Sequence, residues 1–268
     1  MSNLLPREKI GSGMGFYGMM NALAMAVAPA IGVSVYQSAG YRPAFSIALG
    51  FSAATLLAVR FVGDKGEPER RAPGEGERPR GEGPRAVDAR VLPVAAIITL
   101  FAIPYCATQS FLVSYVQARE LPVTVSLFFP LYAAVLLLLR FALKSQFDRL
   151  PFRTFLFRSS LCALGAILFL ARMEHNGVMF LAAVLMAGGY GIMCSVCQST
   201  AILLAGPERR GLANSTYYIG LDLGMTLGPV IGGLLYGGVD LRLFYPLLLV
   251  TVPLSGLVYL LSRKRTAL

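Results

Sequence analysis

Charge is what this sequence has least of: Asp, Glu, Lys and Arg together make up 14% of its 268 residues. A soluble domain carries about 25% charged residues, so this supply cannot tile a water-facing surface, and a soluble fold is excluded. Tryptophan is absent and histidine occurs once, as His175. The four cysteines, Cys106, Cys162, Cys194 and Cys197, all sit in apolar runs without the spacing of a disulfide framework. Cys194-x-x-Cys197 has neither a second pair nor a nearby His to complete a zinc set, and reads as small packing residues. Residues 1–12 carry Arg7, Glu8 and Lys9 without a short apolar core, so no signal peptide is expected. Phosphate-cradling loops, nucleophile triads and paired carboxylates are missing too. Neither an enzyme nor a cofactor nor a metal is therefore expected.

What is present is apolar length. Hydrophobic residues reach 56% and the mean hydropathy is +0.64. Crossing a bilayer takes about 20 apolar residues, and eight runs qualify: 14–36, 42–62, 92–117, 124–143, 153–171, 178–204, 211–236 and 241–262. The fold class is all-α and polytopic. Between the second and third runs, residues 63–90 hold ten Gly or Pro and 14 charges, seven of each sign. Such a stretch buries too little to offset its ordering entropy, so it reads as a solvated, disordered linker. The expected organisation is 1–62, then the linker 63–90, then 91–268.

The formal charge of +10 raises nucleic acid as a partner until the cations are placed. An even number of crossings puts both termini, the linker and alternate loops on one side. That side holds twenty Lys and Arg, Arg140 among them, and the other holds only Arg42, Arg119, Arg172 and Arg242. The asymmetry is the positive-inside pattern. It predicts a multi-pass protein of the cytoplasmic membrane with both termini cytoplasmic, whose partner is the lipid bilayer and not nucleic acid.

Sliding the first two runs onto the last two at an offset of 200 aligns them without a gap. Ten of 35 positions over 8–42 are identical, among them Gly11/Gly211, Tyr17/Tyr217, Pro29/Pro229, Gly32/Gly232 and Tyr36/Tyr236. Both copies start on the same side, which makes the repeat parallel, and six helices separate their starts. Parallel six-helix halves are the build of major facilitator transporters.

The sequence resembles that superfamily, in particular its bacterial drug- and sugar-efflux permeases, over essentially the whole chain. The eight runs look like the family's fifth to twelfth helices, with the linker at its central cytoplasmic loop. The antiporter signature of the fifth helix has its counterpart in Gly15, Ala24, Ala28, Pro29, Gly32 and Val33, with two glycines replaced by alanine and one by valine. The repeat copy fits better: Gly220, Gly224, Gly228, Pro229, Gly232 and Gly233. Small residues at every fourth position let a neighbouring backbone approach closely, so generic close packing is the alternative to an antiport role. The family's loop signature is echoed by Asp148, Arg149 and Arg153, either as a gating loop or as plain topology anchors. The resemblance implies ion-coupled efflux of a small molecule by alternating access, with H+ as the coupling ion. The first four helices of the family pattern are not matched. A partner chain supplying them, or a non-transporting fragment that assembles with or regulates another chain, is the alternative expectation.

Polar residues inside the runs are the candidate site. Asp222 lies mid-span, where a charge costs about 2.5–3.5 kcal/mol on insertion scales and usually faces a cavity or partner; it is the candidate for ion coupling or substrate contact. Gln109 and Gln198 fall on runs resembling cavity-lining helices and are candidate substrate contacts. Asn21, Tyr105 and Tyr190 complete the set. For each, plain interhelical hydrogen bonding is the alternative.

Overall fold

The structure is a computed structural model and describes residues 20, 24, 35, 38–61, 87–143, 146–147, 149–206 and 209–266. Asn21, Gly15, Ala28, Pro29, Gly32 and Asp148, and with them most of the first run and most of the linker, lie outside the described residues. Among those described there is no strand, and seven helices are long and apolar enough to cross a membrane. They coincide with the second to eighth predicted runs.

Helix α1 (Tyr41–Val59) has no buried residue. The packed body begins near Asp88, just ahead of the expected boundary at 90. Asp88 is buried, its Oδ1 accepts from the Arg90 backbone N–H and its own N–H donates to Thr216 Oγ1. Helix α2 (Leu92–Ala118) follows, started by Pro93 where a missing N–H costs nothing. Then come α3 (Phe128–Ala142), α4 (Phe152–Ala171) and α5 (Asn176–Met186). A π-helical turn, Ala187–Gly191, joins α5 to α6 (Ile192–Ala205), so that the two form one span. Helix α7 (Arg210–Gly238) is the longest, and α8 (Phe244–Leu248) and α9 (Thr251–Thr266) share the last span.

That last span was expected as one unbroken helix, and Pro253 explains the break. It has no N–H for the carbonyl of Leu249 and its ring crowds that carbonyl. The Leu249 carbonyl instead accepts from Val252 at 3.1 Å, while Thr251 Oγ1 takes up the Leu248 carbonyl at 2.9 Å.

Two bonds between segments distant in sequence register the crossings. Asp88 N–H to Thr216 Oγ1 (2.9 Å) puts the starts of α2 and α7 at one end. Thr124 N–H to Asn176 Oδ1 (2.7 Å) puts the loops after α2 and α4 together at the other. Successive spans alternate in direction, as a polytopic bundle requires.

The core sits on α2. Fifteen of its residues are buried, from Val94 to Val116. An aromatic group, Tyr115, Phe244 and Tyr245, closes the end opposite Asp88, with Tyr115 edge-on to Tyr245 at 4.9 Å. Burial of this kind carries no hydrophobic drive in lipid, so close packing and interhelical hydrogen bonds must hold the helices together.

Candidate functional site

Two different arrangements meet on α2. Along one face, the small residues of α7 form a seam. Gly220, Gly224, Gly228 and Gly232 are all buried, and each faces α2. A Cβ at Gly224 would lie 2.6 Å from Ala102 Cβ and 2.7 Å from the Thr99 carbonyl oxygen. At Gly228 it would lie 2.7 Å from Cys106 Cβ, and at Gly232 2.8 Å from Phe111 Cδ2. At Gly220, Gly224 and Gly228 backbone packs on backbone and only hydrogen fits, while Gly232 abuts the Phe111 ring. Thr99 Oγ1 uses the proximity to donate across the seam to the Gly220 carbonyl at 2.6 Å. Gly233 lies outside the row: a Cβ there would reach Phe111 at an ordinary 3.5 Å. Pro229, mid-helix in α7, removes one ladder bond, and Ala24 is helical and exposed.

On the other side, polar and aromatic side chains from four spans converge at mid-depth. Tyr105 of α2 stacks on Tyr190 of the π turn, ring centroids 4.1 Å apart and 14° from parallel. Tyr132 of α3 leans on Tyr105 at 5.2 Å. All three are at most 7% exposed. Below them, Tyr217 of α7 donates to the Cys194 carbonyl at 2.8 Å, and its hydroxyl oxygen is 3.1 Å from Cys194 Sγ. The sequence reading named Tyr105 and Tyr190 separately, and the fold makes them one stacked pair.

Arg140 completes this group, and its placement corrects the sequence reading. Expected among the cytoplasmic loop cations, it is 6% exposed inside the bundle, which leaves nineteen cations on that side. The buried face of α3 runs Tyr132, Leu136, Arg140 at helical spacing. Helical side chains tilt toward the N-terminus of their helix, so Arg140, near the C-terminal end of α3, points back into the membrane. Its Nη2 donates to the Gly191 carbonyl at 3.3 Å, and Gly191 lies at the middle of the span Asn176–Ala205. Nε and Nη1 are buried without a hydrogen-bond partner.

Gly191 is the last residue of the π turn, whose i→i+5 bond runs from the Ile192 N–H to the Ala187 carbonyl. Side chains close tightly on Gly191: a Cβ there would lie 2.6 Å from Leu136 Cδ1 and 3.1 Å from the Tyr132 hydroxyl, so those side-chain ends would have to move aside.

The remaining candidates are dispersed. Gln198 is buried on α6 and its Nε2 donates to Asn214 Oδ1 at 3.1 Å and to the Tyr218 hydroxyl at 3.2 Å, so interhelical bonding engages its amide. Gln109 is exposed on α2. Asp222 is exposed on α7, on a different side from the glycine seam; its carbonyl accepts from Thr226 Oγ1 at 2.9 Å. Arg149 and Arg153 are exposed at the start of α4. Among the described residues no three His, Cys, Asp or Glu side chains gather as a metal site.

Tyr132, Arg140 and Tyr217 were not singled out from the sequence. The available signal was periodicity: Arg140 is eight residues beyond Tyr132, on one buried stripe. A cation two residues from a span end, with Lys144 following, reads equally well as an anchor.

A sequence model of the Major Facilitator Superfamily matches the chain over residues 1–203 and again over 147–267. Neither a curated protein nor a solved structure matches it significantly.

Proposed function

The chain belongs to the Major Facilitator Superfamily, a family of membrane transporters, and on that premise we propose that it takes part in ion-coupled efflux of a small molecule by alternating access. The observation that carries the reading is the mid-depth group of Tyr105, Tyr132, Tyr190 and Arg140. Polar and charged side chains are expensive inside a bilayer and concentrate along substrate and ion pathways. A transporter of this build binds its substrate near the midplane, where these residues converge. The drug- and sugar-efflux permeases are the branch whose helix signature Gly220, Gly224, Gly228 and Gly232 resemble.

In this reading the glycine seam keeps α2 and α7 moving as one body. Asp222 lies on the side of α7 that the seam leaves uncovered, beside Leu223 and Thr226, all exposed. That is the surface on which a second helix bundle, in the same chain or a partner, would close. A carboxylate there exchanges H+ as the surface opens and closes. The protein resides in the cytoplasmic membrane with both termini inside.

Everted vesicles test the coupling. With an inside-acid gradient reported by acridine-orange quenching, a transported compound releases protons and restores fluorescence. Asp222→Asn should cut that recovery at least tenfold while the variant inserts normally. Recovery equal to the parent's would refute the role of Asp222.

A further inference from the structure

We propose that Arg140 anchors a binding site for a small organic carboxylate at the centre of the helix unit formed by α2 to α7. This rests on the transport reading above and gives it a substrate class. Arginine stays protonated in proteins and carries five N–H donors. With Nε and Nη1 unpartnered, at least three of the five have nothing to donate to. The ionisable side chains that face the guanidinium are Cys194, Tyr132, Tyr217 and Tyr190, from the π turn, α6, α3 and α7. None is a carboxylate. Asp222, the acid within the described spans, is exposed on α7 and does not reach it.

A buried charge left without a counter-charge is among the costliest features a fold can carry, of the order of several kcal/mol. The surroundings do not relieve it by letting the side chain reach water, because α3 aims it inward and the Gly191 carbonyl holds it there. The carbonyl that holds it belongs to the last residue of the π turn, against which Leu136 and Tyr132 pack closely. Structure that holds a cation in place while leaving most of its donors open is a receptor for an anion. A guanidinium matches a carboxylate in shape and charge. The tyrosine rings beside it offer aromatic contact to the body of that anion, while the Tyr217 hydroxyl is already engaged by the Cys194 carbonyl. The site therefore suits a carboxylate on a flat ring better than a bare inorganic ion.

Nicotinate and nicotinamide are suitable probes, sharing a ring and differing in the charge. Thermal unfolding of the full chain in detergent, at constant chloride, should show a saturable upward shift with nicotinate and none with nicotinamide. Arg140→Met should abolish the nicotinate shift. Arg140→Lys keeps the charge but loses the fork, and should bind nicotinate about tenfold more weakly; it decides the matter if the Met variant does not fold. An equal shift with nicotinamide, an Arg140→Lys affinity equal to the parent's, or a shift with chloride or phosphate but none with nicotinate would each overturn the site. Counterflow of labelled nicotinate in proteoliposomes separates the two layers. Binding without counterflow supports the site and counts against transport. Proton-coupled transport of neutral compounds, without nicotinate binding, overturns the site and leaves the transport reading in place.

Discussion

Helix α2 meets its neighbours in two contrasting ways. Against α7 it packs backbone to backbone, through three glycines that tolerate no side chain and a fourth set against the Phe111 ring, with a threonine hydroxyl donating across the gap. Against α3 and the π turn it packs through large side chains, Tyr105 on Tyr190 and Tyr132, around a guanidinium that most of its surroundings do not satisfy. The first contact is complete in itself. The second has spare hydrogen-bonding capacity and an uncompensated charge. In a bilayer, where apolar burial drives nothing, a complete contact serves as scaffold, and an incomplete polar one is the candidate for binding.

The contrast is broken most severely at the seam. Gly224→Leu would drive a side chain into Ala102 and Thr99, and since overpacking costs typically 1–3 kcal/mol even where neighbours can shift, a backbone contact should lose more. The expected result is loss of the monodisperse folded peak in size-exclusion chromatography. Gly256→Ala on α9, where a Cβ meets nothing within 4 Å, should elute like the parent. Next in size, Tyr105→Ala removes the stacked ring and should destabilise by about 3 kcal/mol, whereas Tyr105→Phe retains the stacking and most of the stability. Unfolding titrations in detergent would separate the two. Gln198→Leu loses both bonds to α7 and should cost about 1 kcal/mol in the same assay. Smallest of all, Thr99→Val removes one bond across a seam that sterics already hold, for about 0.6 kcal/mol. If Thr99→Val cost as much as Gly224→Leu, the seam would be held by hydrogen bonding and not by fit.

The same contrast separates what could be read in the sequence from what could not. The spans were legible because hydropathy over some twenty residues depends on composition alone, and α2, α4 and α7 end within two residues of expectation. The seam was legible because its spacing of four is helix geometry written in glycine; Pro229 and Gly233 of the signature lie one position off that row. Arg140 was not legible. A cation near a span end can reach toward water or back toward the midplane, and what decides is the carbonyl of a residue fifty-one positions away. The π turn was equally hidden, since Ala-Gly-Gly-Tyr-Gly satisfies an i→i+4 and an i→i+5 ladder alike. Pro253 was visible, but its effect depends on whether the helix can bend there or must stop. The stacking of Tyr105 on Tyr190 joins residues 85 positions apart, each of which alone gave only a polar group at mid-span.

The most direct test of the account is the thermal unfolding of Arg140→Met in the absence of added organic anion. If the guanidinium is an uncompensated charge kept for a ligand, an apolar side chain of similar length should leave the midpoint unchanged or raise it, as replacing buried charge by hydrophobic groups often does. A midpoint lowered by several degrees would mean that Arg140 is a structural tie to Gly191, and would contradict the account.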